Sequence, residues 1–373
     1  MKENKKSSFF EVVKKLFDRW FILAFSGMAQ GLFVTLIAGT IVKTIGTYLI
    51  GDNLVGNFLV LLGGIASVVT GFGIGVGMAH GLKADKLVIF SAGVAGFIGA
   101  YAEQILAGAN LSALSAVWGK GLPGNPISAY VCALIAIEIA RFVSGKTKLD
   151  ILLVPLTCLA CAVIGLYVAY PFIWLIKIIG EGIRIATTAT PFFMGIIIAV
   201  VMGMLLTLPT SSAAIWVAIV TAYGENVPDA VLLAGGAAVV GCASHMVGFA
   251  VMSYRENGFS GLISQGLGTS MLQIPNVMKK PILFIPPIIS SAITGPLATT
   301  VFKLRCDASG GGMGTSGLVG VFGCVNASVG VINPWLLGFG IALLMFILPA
   351  LICFLVSEFM RKKGWICFGD LKI

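Results

Sequence analysis

The chain has 373 residues, of which 58% are hydrophobic and only 10% charged, and its mean hydropathy is +1.03. Soluble domains carry about 25% charged residues, so this composition excludes a water-soluble globular enzyme and implies a membrane protein. The net charge of +9 sits in short Lys/Arg segments between apolar runs, a pattern of membrane anchoring and orientation rather than of a nucleic-acid surface.

In chain order, residues 1–19 place Lys14, Lys15 and Arg19 against Phe9, Phe10, Val13, Leu16 and Phe17, which predicts an interfacial amphipathic helix. The apolar stretch that follows is too long for a cleavable signal. A membrane domain is expected over 20–359, with room for about ten spans or half-spans at about 20 residues each. The tail 360–373 opens with Arg361, Lys362 and Lys363. With basic segments at both ends, the charge bias predicts both termini in the cytoplasm and an even number of crossings.

Residues 21–50 read as one long helix ended by Gly51-Asp52-Asn53. The next run, 54–79, contains Gly71, Gly73, Gly75 and Gly77, which allow close helix approach or a break. His80 falls at a charged boundary and reads as solvated. A short helix over 87–107 carries Glu103, and Pro123, Gly124, Asn125 and Pro126 then stop any helix. That stop is either a plain turn or the tip of a half-helix hairpin with Asn125 facing a cavity. Glu138 and Arg141 are spaced for a local ion pair; Glu138 is otherwise part of a polar path, since a lone carboxylate at depth is expensive. The run 155–179 spans again, Lys177, Glu181 and Arg184 read as an amphipathic connector, and 190–208 spans next.

Two broken elements follow. LPTSSAAIW sets Thr210, Ser211 and Ser212 after Pro209, where hydroxyls are expected to cap a half-helix whose positive end faces a cavity. His245 lies deep in an apolar run, and an ionisable residue there reads as functional by default, or else as a neutral histidine bonded to a carbonyl. A polar connector with Gln265, Ser270, Gln273 and Asn276 leads to a span over 281–302, expected to kink at Pro286-Pro287. Then comes RCDASGGGMGTSGLVG, Arg305 to Gly320, whose glycines each cost about 1 kcal/mol in a helix interior. Irregular backbone survives in a membrane protein only where protein buries it or a cavity wets it, so this is a candidate re-entrant hairpin. Closing spans occupy 326–356, broken at Asn333-Pro334.

The chemistry offered is hydroxyls, amides and glycine backbone with little fixed charge. It suits a small neutral polar solute, a sugar being the expectation, held by His245, Thr210, Ser211, Ser212, Thr315, Ser316, the Gly312 backbone, Asn125 and Glu138. The eight cysteines read as buried apolar residues, Cys158 and Cys161 included. No nucleophile with a base, metal cluster or phosphate loop is legible, so neither metal nor cofactor is expected. A membrane sensor and, less well, an ion path stand as alternatives.

The segments GNPISAYVCALIAIEIARFVSGKTKLDILLVPL, LPTSSAAI, GCASHMVGFAVMSYRENG and GGGMGTSGLVG resemble the IIC-type membrane proteins of the bacterial phosphotransferase system, and more narrowly their stand-alone, PfoR-like regulator branch. The likeness runs from about Trp20 onward. It implies an all-α, polytopic, homodimeric fold of the glucose superfamily in a bacterial cytoplasmic membrane, with about ten transmembrane helices plus re-entrant hairpins. It also implies a sugar site near the midplane, at which His245 is the matching histidine. The family's glutamate motif has no clear counterpart, Asp307 standing where it is sought. Any phosphoryl transfer would need separate IIA and IIB phosphocarrier proteins; a regulator that keeps the fold without phosphotransfer is the other implied function.

Overall fold

A computed structural model describes residue 11 and residues 14–119, 121–187, 189–210, 212–221 and 227–373. Phe9, Phe10 and Val13 of the expected interfacial helix, and Ser211, lie outside the described residues. Secondary structure among those described is helical apart from one isolated bridge between Val329 and Ile332. The architecture is all-α.

The first helix, α1 (Lys14–Ile50), runs unbroken through the boundary between the basic segment and the first span. Gly51 ends it at φ 82°, a conformation glycine adopts without a Cβ penalty. Asn53 then caps α2 (Leu54–Val68) by accepting the Gly56 amide at 2.8 Å. α2 and α3 (Thr70–Gly81) form a pair bent by 50°. The glycines of α3 allow close approach on two sides: a Cβ at Gly27 of α1 would strike the Gly77 carbonyl, and one at Gly75 would strike the carbonyl of Ala92 in α4 (Lys86–Ala100). His80 is exposed in the last turn of α3. The half-helix α5 (Leu111–Gly119) precedes α6 (Pro126–Val143).

α7 (Asp150–Ala186) is 37 residues long, about 55 Å at 1.5 Å per residue. It runs straight through Lys177–Arg184, so the expected connector is the last part of this helix. Its length lets it pack on α4 and α6 at one end and on α9 (Ser212–Thr221) at the other. α8 (Pro191–Thr207), α10 (Asp229–Met252), α11 (Pro281–Val301) and α13 (Pro334–Lys362) form the second bundle. Within α11, Pro286 and Pro287 fall where the 3-10 turn Pro281–Phe284 gives way to the α-helical part Ile285–Pro296, in the first turn of that part, where a missing N–H costs little. α12 (Val319–Ser328) is a half-helix after the glycine-rich segment.

Six helices among the described residues are long and apolar enough to cross a membrane, or seven with the α2–α3 pair counted as one span; α4, α8 and the stretch 316–328 are shorter. The expected ten is therefore not a count of full-length spans. Large apolar side chains such as Leu54, Phe142, Ile151 and Trp335 point outward, as lipid-facing residues do. The two bundles meet where Gly268 abuts Phe33, Gly317 abuts Ile41, and Tyr48 stacks on Phe322 at 4.6 Å. The segment Ile274–Lys279 packs on the Asp18–Leu23 turn of α1 and also holds the C-terminal residues.

Candidate functional site

α10 is the axis of the second bundle. In its most apolar stretch 78% of residues are buried, against 33% for α7 and α13. His245, at its centre, is fully buried. Its Nδ1 lies 3.1 Å from Thr207 Oγ1, and Thr207 Oγ1 lies 2.8 Å from Ser270 Oγ and 3.3 Å from the Gly203 carbonyl. Nε2 is buried and has no hydrogen-bond partner among the described residues. Phe249 and Phe284 flank the ring at centroid distances of 6.3 and 5.8 Å.

The hydrogen positions follow from counting. Thr207 has one proton for three neighbours, so either it donates to Gly203 or Ser270 and accepts from His245, or it donates to His245 and accepts from Ser270. The first arrangement leaves Nε2 an acceptor and the second a donor. A hydroxyl group satisfies either.

The glycine-rich segment forms the adjoining wall. Arg305 makes a bidentate pair with Asp229 at the start of α10, Nε to Oδ1 at 2.6 Å and Nη2 to Oδ2 at 2.9 Å. Asp307 Oδ1 accepts from the Ser309 amide at 3.0 Å, the Ser309 hydroxyl at 2.7 Å and the Gly310 amide at 2.8 Å, a turn built on its own carboxylate. The Trp216 indole donates to the Asp307 carbonyl at 3.1 Å, and Ser212 Oγ donates to the Gly312 carbonyl at 2.7 Å. Thr315 Oγ1 donates to the Gly266 carbonyl at 2.5 Å and lies 3.6 Å from the sulfur of Met246, the residue after His245. Ser316 Oγ is buried with no partner among the described residues. Several backbone amides of the segment are met by protein carbonyls, that of Cys306 by Leu232 at 2.9 Å and that of Gly311 by Asp307 at 3.3 Å among them, as irregular chain in a membrane protein requires.

Of the residues expected at the site, the structure joins Thr315, Ser212 and Gly312 to the His245 wall. Asp307 is turned inward on its own loop. Thr210 Oγ1 donates to the Leu205 carbonyl at 2.6 Å, and Ser212 is spent on Gly312. The two described hydroxyls after Pro209 thus tie backbone instead of capping a half-helix that faces a cavity. Asn125 caps α6, accepting from the Ile127 and Ser128 amides at 3.0 and 3.5 Å. Glu138 holds Arg19 at 2.6 Å and Arg141 at 3.0 Å, so the local pair exists with a third member from α1. Both residues belong to the first bundle and make no hydrogen bond to the His245 group. Sequence reasoning missed Thr207, Ser270 and Gly203. The signal for Thr207 was a single hydroxyl inside the apolar run 190–208; for Gly203, whose added Cβ would meet the His245 ring, there was none.

Comparison with protein families finds a match over residues 22–373 to the family described as "Phosphotransferase system, EIIC". The chain belongs to this family. Among solved structures it is similar to the transporter ChbC, the IIC component from the N,N'-diacetylchitobiose-specific phosphotransferase system, with 16% identity, 95% of this chain and 98% of that chain covered, and a TM-score of 0.35. Comparison with curated proteins finds no match. As a IIC family member with several apolar spans, the chain is a membrane transport component of phosphotransferase type.

Proposed function

We propose that this IIC protein binds and translocates a small neutral polar solute, a sugar, at the His245 site, and hands it to separate IIB and IIA phosphocarrier proteins for phosphorylation. The observation that carries this reading is that two buried polar atoms, His245 Nε2 on α10 and Ser316 Oγ on the adjoining glycine-rich segment, have no hydrogen-bond partner among the described residues. An unsatisfied buried polar group costs about 1–3 kcal/mol, and a solute hydroxyl would remove that cost. Carboxylates are turned away: Asp307 is spent on its own loop and Glu138 on two arginines. A neutral polyol suits this wall better than an ion does.

In this reading the first bundle is the dimerising half, its outward stripe of Val163, Tyr167, Tyr170 and Trp174 facing a second copy or lipid. The second bundle carries the solute, with the short helices and the glycine-rich segment as half-spans that bring the total to about ten. The membrane is the bacterial cytoplasmic membrane, with both termini on the cytoplasmic side.

Thermal denaturation of the detergent-purified protein against sugars, sugar phosphates and other polar metabolites tests the site. A ligand at about 100 times its Kd adds about 2.7 kcal/mol, and the shift is expected to vanish in His245→Ala and to shrink in Thr315→Ala. A shift that persists in the double variant would remove His245 from the site. A silent panel, with no uptake by liposomes, would favour a membrane sensor instead.

A further inference from the structure

The sequence predicts a cytoplasmic tail over 360–373, opened by Arg361, Lys362 and Lys363. Its last ten residues are folded against the second bundle. After α13 the chain turns at Gly364 and again at Gly369, φ 73° and 96°, and Ile366 and Leu371 become 2% and 0% exposed in a cluster with Phe249, Leu283 and Met360. Phe249 is the ring that flanks His245.

Amides clamp the same residues. Gln273 Nε2 donates to the Leu371 carbonyl and to Gln265 Oε1, each at 2.9 Å, and Gln265 Nε2 donates to Ser253 Oγ at 2.7 Å. Asn257 donates to the Leu371 carbonyl at 2.8 Å and accepts the Ile373 amide at 3.0 Å, while Asn276 donates to the Lys372 carbonyl at 2.9 Å. Asp370 pairs with Lys280 at 2.7 Å. Buried Glu256, held by Arg361 at 2.8 Å, accepts the Gly369 amide at 3.4 Å.

The clamped segment also carries the site. Between Gln265 and Gln273 lie the Gly266 carbonyl that holds Thr315 and the Ser270 hydroxyl that holds Thr207. The tail therefore reaches the His245 group twice, through Leu371 and Phe249 and through the glutamine pair. Buried glutamines are costly unless bonded, and here the tail's backbone carbonyl is one of the groups that satisfy them.

We propose that Gly364–Ile373 is a latch that closes the route from the His245 site to the face carrying the C-terminal residues, and that this route opens only when the tail withdraws. The latch depends on the solute reading only for what it shuts off, and its test needs no solute.

The reporter is Cys242, three residues before His245, which is fully buried and packed beside Gly314. Cys132 and Cys158, buried in the first bundle, serve as controls. Full-length protein treated with N-ethylmaleimide should label at the exposed Cys367 and leave Cys242 protected. Truncation after Lys363 should raise the Cys242 labelling rate about tenfold or more with Cys132 and Cys158 unchanged. The added peptide GWISFGDLKI, the tail with serine for Cys367, should restore protection. If truncation prevents folding, Lys280→Ala with Asp370→Ala in the full chain reads the same ratio. Continued protection of Cys242 in the released variant overturns the latch. So does parallel labelling of all three cysteines, which would make the tail a general stabilising element.

Discussion

Gly203→Ala tests the packing that fixes His245. A methyl group at Gly203 would overlap His245 Cδ2 and sit 2.9 Å from Nε2 and 2.7 Å from the Gly241 carbonyl. The carbonyl belongs to α10 backbone, so the methyl forces α8 and α10 apart locally and displaces the imidazole as well. Overpacking of this kind costs about 1–3 kcal/mol, and losing the Nδ1 contact with Thr207 adds about 0.5–1.5 kcal/mol. We expect a loss of about 1.5–4.5 kcal/mol in thermal or denaturant unfolding. The control is Gly338→Ala in α13, where a Cβ meets nothing within 4 Å; it should be neutral or stabilising by up to about 1 kcal/mol. In ¹⁵N spectra of histidine-labelled protein, Gly203→Ala should move the His245 ring signals and leave those of exposed His80 in place. Equal stability of the two variants, with His245 signals unmoved, would refute this account of the α8–α10 contact.

Glu138→Gln should cost about 1–2 kcal/mol in unfolding, because it strands Arg19, whose Nη2 is already buried with no partner among the described residues. Arg141→Gln, at a side chain 45% exposed, should cost only a few tenths of a kcal/mol; equal losses would show that Arg19 is not the main partner. Asn125→Ala should lower stability by about 1 kcal/mol through loss of the α6 cap while leaving ligand-dependent stabilisation intact, and a loss of that stabilisation would return Asn125 to the site. Burial pushes the Asp370 carboxyl up, but the Lys280 hydrogen bond, the Cys367 amide and the Lys280 and Arg361 charges outweigh it and hold it below its usual range. The folded-state value is thus depressed, so this contribution is complete above the ordinary carboxylate value of about 3.9 and lost as pH falls through the lowered one. Hydrogen exchange in residues 364–373 should rise over that acid window, and Asp370→Asn should flatten the rise.

The amino-acid sequence determined what the bilayer dictates. Hydrocarbon tolerates only long apolar helices and punishes every unpaired polar group, so the main runs, their stops at Gly51 and Asn333-Pro334, the irregular Arg305–Gly320 stretch and the depth of His245 are all written locally. The Glu138–Arg141 pair was legible for the same reason, both partners lying within one turn. Tertiary structure alone decided which polar groups meet. Thr207, His245 and Ser270 come from three separate elements, Arg19 reaches Glu138 from another helix, and Leu371 supplies the carbonyl that Gln273 needs. A hydroxyl or amide has many possible partners of similar energy. Backbone packing selects among them by bringing distant segments within 3 Å, and residue type or spacing does not record that choice.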